Sequence, residues 1–397
     1  MRLIPNEHRQ HATDLDPVDA ETLSIAAAHQ AEDFLKRRKN HKQTPLHRWT
    51  SLAAELGVGE VLIKDEGLRL GLGSFKALGG SYAVIRLVLE AASLFMGRPV
   101  GIDELDSADV REIANRLTVA CATDGNHGRS VAYGAQLARA KAAIFVHSGV
   151  SSERVAAIAH YGAEVIRSDG NYDDSVSEAL RVCRERGWIV VSDTSWPGYE
   201  RIPGLIMQGY TAIVSEALRQ MPEPPTHFFI QAGVGGVAAA LAGHFAVVLG
   251  KARPTVVVVE PERAACVYEA ARIGRRVKIE QREPTVMAML ECYESSLVAW
   301  RILARVGDAF MTVEESDAID VMKRLASPLC ADHPIVSGES GGVGLAGLIQ
   351  AARNEDARVM IGLNGKSRIL VINTEGATDK ALYARLTGLA PDTVGAF

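Results

Sequence analysis

Cysteine is scarce in this chain: five residues, Cys121, Cys183, Cys266, Cys292 and Cys330, among 397. A set this sparse and odd in number does not make a disulfide scaffold, and no metal site is expected. An excess of basic charge is also lacking: 43 Lys and Arg against 48 Asp and Glu leave a net charge of −5. Nucleic-acid backbones are bound by a basic face, so no nucleic-acid partner is expected. Met1 to Glu7 contains no apolar core of a secretion signal, and a cytoplasmic protein is expected. Pro-rich or Ser-rich linkers, internal repeats and low-complexity segments are missing, so any domain boundary is crossed by ordered chain. The longest apolar run, Gly233 to Gly250, contains His244 and opens on three glycines in four residues. It falls short of the ~20 residues of a membrane span and reads as a buried helix after a Gly-rich turn; no membrane partner is expected.

The composition, 47% hydrophobic and 23% charged, is that of a soluble globular protein, and the length predicts two or three domains. Short apolar, β-rich runs recur at 61–64, 117–122, 142–146, 164–166, 188–191, 227–230, 255–259 and 369–372, each followed by a helical pattern. The runs are continuous rather than alternating, so both faces of each strand are buried. Strands of that kind alternating with helices predict an α/β fold with mostly parallel, twisted sheets flanked by helices. The polar stretch 93–115 reads as a surface excursion.

Four glycine-bearing loops sit at strand-to-helix junctions. In the first, Lys64-Asp65-Glu66 leads through Gly71-Leu72-Gly73 to Ser74-Phe75-Lys76, with Ser74 at a helix N-cap position and a helix expected from Phe75 to Leu89. A lysine in the first turn faces the positive end of the helix dipole, which favours the neutral amine that imine chemistry needs. The second is Thr123-Asp124-Gly125-Asn126-His127-Gly128, opening the helix 130–140. By itself Asp124 reads as a cap and His127 as structural. The third, Gly233-Val234-Gly235-Gly236-Val237-Ala238, can wrap a phosphate at a helix N-terminus. It also fits the G-x-G-x-x-A dinucleotide fingerprint, with Glu260 near the position of a ribose-binding acid, so a nicotinamide-dependent dehydrogenase is a second reading. The fourth is Ser337-Gly338-Glu339-Ser340-Gly341-Gly342, and a later strand ends in Asn373-Thr374-Glu375-Gly376.

A dinucleotide enzyme needs only the third loop. All four have roles if the chain binds pyridoxal phosphate. Together with Asp193-Thr194-Ser195-Trp196, Gln208-Gly209-Tyr210, Glu260-Pro261 and the segment from Pro284 to Cys292, these motifs resemble the fold-type II pyridoxal phosphate enzymes over residues 44–379. The aspartate of Asp-Gly-Asn-His-Gly and the Asp-Thr-Ser-Trp segment are similar to one branch of that family, a group of ammonia-lyases. The resemblance implies two domains, a larger one of residues 1–84 and 196–397 and a smaller inserted one of 85–195. It implies Lys76 as the Schiff-base lysine, Asn126 at the ring hydroxyl, Gly233, Val234, Gly235, Gly236 and Val237 as the phosphate loop, Thr374 at the pyridine nitrogen and Glu339 beside the ring. Ser74, Thr123, Asp124 and Asp193 would meet the substrate, with Lys76, Asp124 and Asp193 catalytic. The activity implied is α,β-elimination of 2,3-diaminopropionate, as both D and L isomers, to pyruvate and two ammonia, by a homodimer. A threonine or serine dehydratase-type β-eliminase is the alternative within the same fold. Cys266 and Cys292 are expected close together, bordering the site, either as two unpaired thiols or bridged.

Overall fold

The computed structural model describes residues 1–395 apart from 39, 40, 124 and 282. Eleven strands are present among them: β1 (Arg2–Pro5), β2 (Leu46–Arg48), β3 (Glu60–Asp65), β4 (Thr118–Ala122), β5 (Lys141–His147), β6 (Glu164–Ser168), β7 (Ile189–Val190), β8 (His227–Gln231), β9 (Thr255–Pro261), β10 (Ala309–Val313) and β11 (Arg368–Asn373). They form a seven-stranded sheet in the order β1-β10-β9-β8-β11-β3-β2 and a four-stranded sheet in the order β6-β5-β4-β7. The smaller sheet is wholly parallel, and the larger is parallel except at its two edges, where β1 and β2 pair antiparallel. The fold class read from the sequence is the one observed. Val256, Val257, Val258 and Val259 of β9 are completely buried, as expected for strands covered by helices on both faces. The strands the sequence reading does not name are β1, β2 and β10; two of them are short edge strands.

All four strands of the smaller sheet lie between residues 85 and 195, and we propose these two sheets as the cores of the smaller and larger domains. The boundary at 85 falls inside a single helix, Lys76–Met96. That helix is the one described segment long and apolar enough to cross a membrane, and most of it lies inside the molecule. The run Gly233 to Gly250 is a buried helix, Gly236–Leu249, as expected. Residues 93–115 depart from the reading as a surface excursion: they close the Lys76 helix, make a helical turn and add a helix, Ala108–Ala114, whose Val110 and Ala114 are fully buried. The apolar residues there are spaced three and four apart, a helical period too brief to stand out among the polar residues between them.

Sheet order sets the location of the site. Strands β8, β11 and β3 are neighbours and parallel, so the loops leaving their C-terminal ends converge. Those loops are the glycine-rich loop after Gln231, the Thr374 segment and the run leading to Lys76. The smaller sheet likewise brings its β4 end, at Thr123, beside its β7 end, just before Asp193. Open parallel sheets form their ligand sites at such edges.

Candidate active site

Lys76 is held by a rigid approach. Upstream, Lys64, Glu66, Arg69 and Glu216 form a buried cluster of two positive and two negative charges. Arg69 places both terminal nitrogens on Glu216 at 2.8 and 2.7 Å, and Lys64 Nζ lies 3.0 Å from the same carboxylate. The Lys64-Asp65-Glu66 motif is thus structural, tying β3 and the following turn to the helix Arg201–Gln220. Downstream, the Phe75 N–H donates to Thr374 O at 2.9 Å and the Gly376 N–H to Gly73 O at 2.9 Å. The Lys76 helix then crosses its neighbours at glycines: a Cβ on Gly79 would lie 2.5 Å from the Tyr210 ring, and one on Gly209 would lie 2.8 Å from Leu78 O. Ser74 is not the N-cap; that position is Phe75, with no side-chain cap, and buried Ser74 instead pairs with Glu375 in an isolated antiparallel bridge.

The Lys76 ammonium forms an ion pair with the Asp193 carboxylate. Burial opposes both charges. For Lys76, Asp193 and the neighbouring Tyr210 outweigh burial and raise its pKa; for Asp193, Lys76 and His127 outweigh it and hold its pKa well below the usual carboxylate range. This corrects the expectation from the helix dipole. An adjacent full carboxylate is stronger than the partial charge of a helix end, so the unmodified lysine is charged.

The loop Gly233 to Val237 leads into the helix Gly236–Leu249, with Gly235 at the N-cap and φ of +93°. A Cβ at Gly233 would approach Cys292 Sγ to 3.1 Å, and one at Gly236 would be 3.7 Å from the Asp193 carbonyl oxygen. A side chain would be strained at Gly233 and Gly235, and the first-turn N–H groups have no intrahelical acceptor, which suits a phosphate. Cys266 and Cys292 flank Gly233, and both are free thiols. Burial, with Asp193, pushes the Cys292 thiol up to about 12. Glu260 is not placed to hold a ribose. Its buried carboxylate accepts the N–H groups of Val267 and Tyr268 at 2.8 and 2.5 Å, capping the helix Cys266–Ile273.

Asn126 Nδ2 donates to Glu375 Oε2 at 2.7 Å. Glu339 and Glu375 are both buried, and each keeps one carboxyl oxygen without a hydrogen-bond partner among the described residues. Burial, then the charge of Glu339, raises Glu375 to about 8. Thr374 Oγ1 accepts from Gln231 Nε2 at 2.8 Å. Thr123 Oγ1 accepts the N–H groups of Gly125 and Gly128, so its side chain shapes the asparagine loop. His127 Nε2 lies 2.7 Å from Val191 O, in keeping with its structural reading. Asp124 lies outside the described residues. A cavity of about 50 Å³ beside Gly125, Asn126 and Arg154 shares Arg129, Glu153 and Thr378 with a neighbouring cleft of about 860 Å³.

Three residues here have no role assigned from the sequence: Tyr210, Glu375 and Gln231. The first two lie inside matched motifs, and Gln231 is the one polar residue closing the buried run of β8 immediately before the glycine-rich loop. The set fits pyridoxal phosphate. It offers an amine for the aldehyde, a glycine-rich anion cradle, an amide for the ring oxygen and a buried hydroxyl for the ring nitrogen.

A family model described as "Pyridoxal-phosphate dependent enzyme" matches residues 38–375. The chain belongs to that family, and pyridoxal phosphate is its cofactor. The dinucleotide reading is thereby set aside. The chain is 38% identical to diaminopropionate ammonia-lyase of Escherichia coli (strain K12) over 368 residues, 91% of each chain. The crystal structure of holo diaminopropionate ammonia lyase from Escherichia coli superposes with a TM-score of 0.87 at 34% identity, covering 97% of this chain and 96% of that one. The same enzyme in complex with an aminoacrylate-PLP azomethine reaction intermediate superposes with a TM-score of 0.84 at 34% identity, covering 97% and 95%. Within the pyridoxal-phosphate dependent enzymes, the chain belongs with the diaminopropionate ammonia-lyases.

Proposed function

We propose that this protein is a lyase that eliminates ammonia from 2,3-diaminopropionate, taking both isomers, and releases pyruvate and two ammonia. The observation that carries this reading is the Lys76–Asp193 pair, next to a glycine loop whose Gly236 packs at the Asp193 backbone. A β-amino group departs as ammonia only when protonated, and a carboxylate beside the lysine suits that β-ammonium, a positive charge that the β-hydroxyl substrate of a dehydratase does not carry.

Pyridoxal phosphate, when bound, supplies an electron sink for negative charge at Cα. The Gly233–Val237 loop holds the phosphate and Thr374 meets the ring nitrogen. The Asn126 amide, one N–H of which Glu375 already takes, turns its other N–H to the ring hydroxyl oxygen. Lys76, as a free amine, would remove the Cα proton from its own face. Asp193 guides a proton to the β-amino group as the Cβ–N bond breaks, the electrons of the Cα–H bond becoming the Cα=Cβ double bond. The proton it guides is the one Lys76 has just taken: Lys76 is then an ammonium again, and the ion pair with Asp193 keeps that ammonium beside the departing amine. The enamine product hydrolyses to pyruvate and the second ammonia. The D isomer presents its Cα proton on the opposite face, and Asp124 is the base proposed there. Ser74, Thr123 and Glu339 complete the pocket, a homodimer is the proposed assembly and the cytoplasm the proposed location.

The test is product stoichiometry with each isomer, for wild type and Asp124→Asn. One pyruvate per two ammonia from both isomers is expected, with Asp124→Asn losing activity on the D isomer and keeping much of it on the L. Faster pyruvate formation from serine or threonine would move the protein to the dehydratases.

A further inference from the structure

Gln231 ends β8 one layer beneath the candidate site and is almost completely buried. Its amide orientation is dictated by its surroundings. Oε1 accepts the Gly344 N–H at 3.1 Å, a group that only donates. Nε2 faces the carbonyl oxygens of Ser340 and Ile372, each at 3.2 Å, and of Gly341, groups that only accept. The NH₂ end therefore points to this side, where it also meets Thr374 Oγ1 at 2.8 Å. A threonine hydroxyl has one proton to give and lone pairs to receive. Because Gln231 fills a lone pair of Thr374, the hydroxyl's own proton is left over, and no acceptor among the described residues takes it. Thr374 is itself buried, so that proton faces the site interior rather than solvent.

We propose that Gln231 is a positioning residue: by donating to Thr374 it aims the threonine proton at the ring nitrogen of the cofactor and keeps that nitrogen an acceptor. The inference rests on the placement of Thr374 at the ring nitrogen proposed above. Chemically, a hydroxyl can meet a pyridine nitrogen by donating to the unprotonated form or by accepting from the protonated one. Thr374 alone allows both. Gln231 disfavours the second option: it occupies one lone pair, and if the other accepted from the ring, the hydroxyl's own proton would be left without an acceptor among the described residues. The amide has two N–H groups, one on Thr374 and one shared among the carbonyls of Ser340, Gly341 and Ile372; take it away and those carbonyls are open to the threonine proton, which turns a lone pair of the hydroxyl toward the ring. The charge state of the ring nitrogen is then decided at the end of β8, by a residue that touches neither cofactor nor substrate. An unprotonated ring nitrogen is a weaker electron sink, which favours prompt expulsion of a β-substituent over the slow loss or return of a proton at Cα.

The test uses holoenzyme reconstituted with pyridoxal phosphate carrying ¹⁵N in the ring, in wild type, Gln231→Met, Gln231→Glu, Thr374→Val and Thr374→Ser. The readouts are the ¹⁵N resonance, which separates pyridine from pyridinium, and the cofactor dissociation constant. Wild type and Thr374→Ser are expected to show an unprotonated ring nitrogen at neutral pH. Gln231→Met is expected to move the resonance toward pyridinium and to weaken cofactor binding by ~10-fold, the scale of one buried hydrogen bond. Thr374→Val is expected to weaken binding by a similar factor, and combining it with Gln231→Met should add little, because the two act through one hydrogen bond. Gln231→Glu keeps the side-chain shape and serves if Gln231→Met does not fold; read at a pH where its carboxyl is ionised, it offers Thr374 only acceptors, and the same shift is expected. A clear effect of Thr374→Val with a wild-type resonance in both Gln231 variants would overturn the role of Gln231 alone. A wild-type resonance and affinity in Thr374→Val would overturn the placement of Thr374, and the inference with it. A protonated ring nitrogen in wild type would overturn the inference directly.

Discussion

Lys76 and Asp193, 117 residues apart in sequence, close into an ion pair between the helix that starts after β3 and the loop that leaves β7. Each residue fixes the other's protonation. The aspartate keeps the lysine an ammonium until its nitrogen is used, and the ammonium keeps the aspartate ionised until then. Asp193→Asn removes the carboxylate and lowers the Lys76 pKa. The pH at which the apoprotein captures pyridoxal phosphate should therefore shift downward, while lyase turnover falls by on the order of 10²–10⁴ for loss of a proton-handling group. Stopped-flow absorbance of cofactor capture across pH, beside steady-state turnover, checks both signs. Lys76→Ala, by contrast, should abolish the borohydride-reducible chromophore and the activity together.

The glycine loop gives a sharper steric test. Gly235 combines a φ of +93° with a Cβ position 3.2 Å from the Ala299 Cβ. Gly235→Asp adds a negative charge to the anion cradle and should weaken pyridoxal phosphate binding by at least ~100-fold, on the scale of charge repulsion plus steric misfit. Gly362→Asp is the control. Gly362 has φ of +73° with no heavy atom within 4 Å of its would-be Cβ, at the end of the helix Glu355–Ile361. It carries similar backbone strain and should bind cofactor normally. Equal losses in the two variants would point to general destabilisation rather than to the cradle.

Glu216 holds both Lys64 and Arg69 in the buried four-charge cluster, and neither cation has water to turn to. Glu216→Ala should destabilise the fold by ~3–5 kcal/mol, the cost of stranding buried charge. Denaturant unfolding measures this. Because the cluster lies behind the site rather than in it, KM of the folded fraction should stay near wild type.

Much of this architecture is legible in the amino-acid sequence. Continuous runs such as Val256 to Val259 identify strands buried on both faces, and the glycine-bearing junctions locate the loops that converge. Motifs single out Lys76, Asp193 and Thr374, and the fold brings the first two together. What the sequence hides is whatever depends on a partner distant along the chain. The field of a helix end suggests a neutral Lys76, because nothing local reveals a carboxylate arriving from beyond β7. Glu260 sits where a ribose-binding acid would, and only the fold shows that its oxygens are consumed by Val267 and Tyr268. Gln231 gives little signal because a single polar residue at a strand end is common; its meaning comes from Gly344 and Thr374, more than a hundred residues away.

Glu375 predicts a pH dependence of stability with a definite sign. Burial and the nearby Glu339 raise its folded-state value to about 8, against the donation from Asn126, whereas in the unfolded chain it titrates near the ordinary ~4.3 of glutamate. Between those values the folded protein holds a proton that the unfolded chain releases. The resulting stabilisation is fully present below the unfolded value and is lost as pH rises through about 8. Glu375→Gln keeps an oxygen for Asn126 and removes the titration. The thermal midpoint of the wild-type apoprotein should thus fall more steeply from about pH 5 to 8 than that of the variant, by a few °C, and the two should run parallel above that. Glu260 is also raised to about 8 by burial, but it is common to both proteins and cancels in the comparison. Parallel profiles would mean that Glu375 is ionised in the folded state, with a counter-charge such as Arg154 compensating for its burial.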